Sequence, residues 1–192
     1  MLTQEFASLV RISFAFLGSE YGFSHSWFGD YVARFDSSRV FVTIEYDARR
    51  SYELGVQIGL QAGIQNDVER PFEIAELMRL MGEKDLAKQL SELYASDYEL
   101  ADRLMWISEI LKKFGGDLLR GNVALYSRLN RQRDDECESY ALERELRYAR
   151  KDALKAWKDG QYEIVIQRLS PFADHLSPAE QLKLAIAKER IS

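Results

Sequence analysis

The chain has 192 residues, 46% hydrophobic and 12% aromatic, which is enough to bury a core in one domain or in one with an appendage. Twenty-six Lys and Arg against 31 Asp and Glu leave a net charge of −5, which argues against a general nucleic-acid binder, whose working face is basic. One cysteine excludes an intrachain disulfide framework and fits a reducing compartment. The longest apolar stretch near the start, Phe14 to Leu17, is far short of the roughly 20 residues of a spanning helix. No basic segment followed by an apolar block marks a secretory signal, so a cytoplasmic location and no membrane partner are expected.

Residues 2–18 read as an amphipathic helix, with Leu2, Phe6, Leu9, Val10, Phe14 and Leu17 at steps of three and four and Gly18 or Gly22 as its stop. The period then changes to two. Strands are expected at about 25–36, 39–47 and 51–61, joined by short polar connectors. Val40, Val42, Ile44 and Tyr46 share one face of the second strand, and Leu54, Val56, Ile58 and Leu60 share one face of the third. This predicts an antiparallel meander of three to four strands whose aliphatic face is covered by the opening helix.

From Pro71 onward the pattern is helical, with helices expected at 72–81, 84–95, 97–114, 117–130, 134–159, 161–171 and 178–190. Ser96-Asp-Tyr-Glu99 and Ser177-Pro-Ala-Glu180 match capping boxes, and Pro178 sits at the favoured first helical position. The predicted fold class is α+β. Residues 1–130 are expected to form a helix–meander–helices domain, and residues 131–192 a long charged helix ending in a helical hairpin, packed either by itself or as one domain with the first.

Two resemblances rest on particular residues. Ala149, Ala153, Gly160-Gln-Tyr162, Leu169 and Pro178 resemble a single tetratricopeptide-type helical hairpin followed by the first helix of a further unit, with Val165 and Phe172 where that family has small residues. Glu20-Tyr-Gly-Phe23, the hairpin Val40 to Gly59, and Leu111-Lys-Lys-Phe-Gly-Gly-Asp-Leu-Leu-Arg-Gly121 are similar to small bacterial proteins, some of which are immunity-protein-like. That resemblance covers about the first 125 residues. It implies a protein partner, such as a toxin, and carries no catalytic motif to transfer.

The residue chemistry yields no catalytic motif, no metal site and no cofactor. His25 and His175 are far apart in sequence and lack ligand spacing to other residues. Cys137 stands among Asp134, Asp135, Glu136 and Glu138, the reverse of the electropositive setting that a nucleophilic cysteine needs. Those four acids are expected at a helix start, where they complement the helix dipole. The sheet face opposite the aliphatics would carry Arg34, Phe41, Thr43, Glu45, Glu53 and Gln57, extended by Trp27, over bare backbone at Gly55 and Gly59. An exposed aromatic beside glycine and mixed charge makes a docking surface. The competing reading buries Phe41 and Trp27 under the C-terminal helices. The leading expectation is a non-enzymatic protein-interaction module, immunity-like, that occludes a basic partner. The alternatives are a hydrolase with carboxylates dispersed over the strands, and a homo-oligomeric scaffold.

Overall fold

A computed structural model describes residues 2–64 and 69–191. Helix α1 (Leu2–Ser13) is followed by α2 (Ala15–Tyr21), and the sheet comprises β1 (Ser24–Phe28), β2 (Val32–Asp36), β3 (Val40–Tyr46), β4 (Leu54–Leu60) and β5 (Phe72–Glu73). The second half contains α3 (Ile74–Met81), α4 (Lys84–Ser91), α5 (Leu100–Phe114), α6 (Gly116–Leu119), α7 (Val123–Lys158), α8 (Tyr162–Leu169), a 3-10 segment (Ser170–His175) and α9 (Pro178–Ile191). The fold is α+β: N-terminal helices, an antiparallel sheet in the order β1-β2-β3-β4-β5, then a mainly helical second half. No helix among the described residues is long and apolar enough to cross a membrane.

The sheet differs from expectation in two places. The strand expected at 25–36 is a hairpin, because Gly29-Asp30 turns the chain and the Gly29 amide donates to the Val32 carbonyl at 2.8 Å. A fifth, two-residue strand pairs Phe72 with Ile58 and Glu73 with Gln57, and nothing in so short a segment could display a period. The opening helix also divides. Phe14, fully buried, has non-helical angles (φ −105°, ψ 19°), and the chain resumes as α2, which ends at Gly22 in the left-handed region (φ +72°).

Contacts divide the chain into two units, residues 1–132 and 133–192. In the first, Val40, Val42, Ile44 and Tyr46 of β3 stand opposite Leu60, Ile58, Val56 and Leu54 of β4 and point into one core. Phe6, Val10, Phe14 and Leu17 from α1 and α2, and Leu104, Ile107 and Leu111 from α5, complete that core. Phe6 stacks on Tyr46 with ring centroids 6.3 Å apart, so the opening helix covers the aliphatic face as its pattern requires. The Tyr46 hydroxyl donates to the Ala95 carbonyl at 2.8 Å, and burial, assisted by nearby Asp97, pushes its pKa up to about 12.

In the second unit, Ala153 and Ala156 of α7 pack with Val165 and Leu169 of α8 and Leu184 and Ala187 of α9. Gly160, at φ +70°, makes the turn after α7, and Trp157 meets Tyr162 edge-on across it at 5.6 Å. Ser177 and Glu180 form the expected capping box: the Ser177 amide and hydroxyl reach the Glu180 carboxylate at 2.8 Å, and the Glu180 amide donates back to the Ser177 hydroxyl at 3.4 Å. Expected helices 117–130 and 134–159 are largely one helix, α7, which Asn122 caps by accepting from the amides of Ala124 and Leu125. Asp134, Asp135, Glu136 and Glu138 therefore lie in a helix interior and not at a helix start. No glycine or proline interrupts Val123 to Lys158, so nothing local stops the helix.

Candidate functional site

Strand register places the sheet's second face in rows. Arg34, Thr43, Gln57 and Glu73 lie abreast across β2 to β5. Val32, Glu45 and Gly55 form the next row, and Asp36, Phe41 and Gly59 form the row on the other side. The pattern thus puts Arg34, Phe41, Thr43, Glu45 and Gln57 on a common face, but their environments differ.

Phe41 is only 2% exposed, and it is the expected exposed aromatic that the structure overturns. It does not belong to the main core either. Its ring lies over Gly59, where an added Cβ would sit 2.5 Å from the ring, and the Arg34 guanidinium covers it at 4.1 Å from the centroid. The Arg34 guanidinium on β2 forms part of its cover, and the Pro71 backbone lies beside Gly59 at the same place. Thr43 is buried at 8% exposure.

Arg34 is likewise committed. It grips the Glu69 carboxylate through two nitrogens, at 2.8 and 3.0 Å, and its Nε donates to Asp36 at 3.1 Å. The hydrogen bonds that it donates to Glu69 strengthen its hold on its proton. Asp36 also accepts from Ser26 and from the Gln61 side chain at 2.7 Å. Burial works to raise its pKa, but the Ser26, Gln61 and Arg34 hydrogen bonds prevail and hold it below the usual carboxylate value. The network Ser26–Asp36–Arg34–Glu69 fastens the segment after β4 to β2 and leaves Arg34 without a free fork for a ligand. The side chain of Trp27 lies outside the described residues.

The remaining three, Glu45, Glu53 and Gln57, line one cavity of about 440 Å³. Glu45 stands opposite Gly55 in register, and Glu53 bridges to Tyr94, so the two carboxylates share the cavity without facing each other across the strands. Glu73 of β5 and Asp47 add two more carboxylates, that of Asp47 accepting from the amides of Arg49 and Arg50 and from the Ser51 hydroxyl, with apolar wall from Val32, Leu90 and Leu93. All three glutamates are exposed to solvent. Sequence reasoning missed Glu73 because its place is set by pairing with Gln57 and by nothing near it in the chain.

The other candidate residues are exposed. His25 is exposed on β1 in the first unit, and His175 is exposed at the end of the 3-10 segment in the second. Cys137 is exposed on α7. Among the described residues, no group of three or more His, Cys, Asp or Glu is arranged to hold a metal ion. Comparison with protein-family models, with curated proteins and with solved structures finds no match.

Proposed function

We propose that the chain is a non-enzymatic protein-interaction module that occludes a basic partner, with immunity-like antagonism of a toxin as its most concrete form. The observation that carries this reading is the cavity beside β3 and β4, ringed by the exposed carboxylates of Glu45, Glu53 and Glu73. A lysine or arginine of the partner entering it meets the carboxylates of Glu45, Glu53 and Glu73, while its aliphatic stem lies against Leu90 and Val32. Gly55 leaves bare backbone there, with open space where a Cβ would stand. The net charge of −5 adds long-range attraction that speeds association with a cationic surface.

The test uses the full chain as bait in a native lysate, beside a variant carrying Glu45→Lys, Glu53→Lys and Glu73→Lys. The expected result is one stoichiometric basic partner, held by the parent chain, weakened by salt and lost by about tenfold or more in the variant. Equal capture by both baits, or an acidic partner, overturns the reading. A second reading, a hydrolase using carboxylates, is supported by the same three side chains around one cavity. It predicts turnover of a small ester or glycoside that Glu53→Gln abolishes, whereas the interaction reading predicts none.

A further inference from the structure

We propose that a second cavity, at the β2–β3 turn of the first unit, binds a phosphate-type oxyanion between the guanidinium groups of Arg39 and Arg120. This cavity of about 280 Å³ is lined by Tyr21 and Glu20 at the end of α2, by Ser37, Ser38 and Arg39 of the turn, and by Arg120 after α6. It gathers parts of two segments that the sequence reading singled out and the interaction cavity does not use, Glu20-Tyr-Gly-Phe23 and the run ending Arg120-Gly121, and adds the turn between β2 and β3.

Both guanidinium groups have room made for them by glycine. A Cβ on Gly116 would stand 3.0 Å from an Arg120 terminal nitrogen and 3.4 Å from the Tyr21 hydroxyl. A Cβ on Gly121, which is at φ +70°, would stand 3.3 Å from both Cβ and Nε of Arg39. The Tyr21 ring supports Arg120 at 5.3 Å from its centroid. These contacts hold the two cations beside the cavity.

Neither cation has a carboxylate partner among the described residues, in contrast to Arg34, Arg103, Arg150 and Arg168, which are ion-paired. In an acidic chain, two unpaired arginines lining one cavity form a local positive site. Glu20, the carboxylate in the lining, is neutralised by its ion pair with Lys112. Two planar forks can engage the several oxygens of a tetrahedral oxyanion, and the Ser38 and Tyr21 hydroxyls supply neutral donors at the same cavity. A planar carboxylate offers only two oxygens and uses the pair less fully.

Inorganic phosphate, titrated into the full chain at constant ionic strength and followed by two-dimensional NMR, is expected to shift the Arg39 and Arg120 Nε–H signals and the Gly121 amide saturably. Acetate serves as the carboxylate comparison, and phenyl phosphate distinguishes a phosphoryl ester from the free ion. Tighter binding of phenyl phosphate supports an ester ligand, and equal or weaker binding supports the free ion. Arg39→Gln and Arg120→Gln each lower phosphate affinity about tenfold or more, and Arg120→Lys, which keeps charge but loses the fork, also weakens it. Arg103→Gln, at an exposed arginine paired with Glu99, leaves binding unchanged. Absence of a saturable shift, equal affinity for acetate, or equal loss in the Arg103 variant overturns the proposal. The map on the parent chain decides the matter even if a variant fails to fold.

Discussion

In the first unit the largest fully buried side chains include Phe6, Phe14, Phe72 and Tyr126, whereas the second unit closes around Ala153, Ala156 and Ala187 with Val165, Leu146, Leu169, Leu176 and Leu184. The first brings together residues distant in the chain: the α1 ring of Phe6 lies on Tyr46 of β3, and Tyr46 is tied to Ala95. The second is held by contacts between successive helices, a glycine turn and a capping box. Where large side chains carry the burial, stability resides in packing. Where alanines fill part of the core, close helix approach and end chemistry carry proportionally more of it.

The largest effect expected from this contrast is at Phe14, fully buried at the break between α1 and α2. Phe14→Ala should lower the stability of the first unit by about 3–5 kcal/mol. Denaturation followed through Trp106, which lies against the first core, should show the loss, while Trp157, against the second, should not. Coincident shifts of both signals would break the division into separately stabilised units.

A smaller effect is expected at Gly59, where an added methyl collides with Phe41 at 2.5 Å and approaches the Pro71 backbone to 3.2 Å. Gly59→Ala should cost about 1–3 kcal/mol. Gly55→Ala, with nothing within 4 Å, should stay within about 0.5 kcal/mol. Equal costs at the two glycines would mean that the cover over Phe41 is not a packed layer.

The smallest effect belongs to the second unit and is read against pH. Hydrogen bonds from Arg150, and then from Ser177, hold Glu180 at about 2, below its ordinary value of 4.5. The folded state thus binds this proton less readily than the unfolded chain. The contribution is complete above 4.5 and is lost as pH falls toward about 2. Solvent screening of this partly exposed pair keeps it to about 1 kcal/mol or less. The denaturation midpoint reported by Trp157 should fall slightly between about pH 6 and about pH 3, and Arg150→Ala should flatten that profile.

The candidate site was legible only in part. Alternation along β3 and β4 put Phe41, Thr43, Glu45 and Gln57 on one face, and register agrees. Alternation assigns a face but says nothing of what lies above it. Phe41 is therefore buried under Arg34, although its position reads as outward. Glu73 joins Glu45 and Glu53 through a two-residue strand that carries no period at all. The pairing of Arg34 with Glu69, 35 residues away, likewise has no signature in either neighbourhood.

Residue order was enough for what depends on neighbours in the chain: the α+β order of elements, the core faces of β3 and β4, and the Ser177–Glu180 cap. These follow from periods of two and 3.6 residues and from end chemistry confined to a single turn. Tertiary structure decided the cover over Phe41, the carboxylate cavity, and the lining of one cavity by both Arg39 and Arg120. Each of those depends on which distant segments come together in space, which is set by long-range packing and register and not by local pattern.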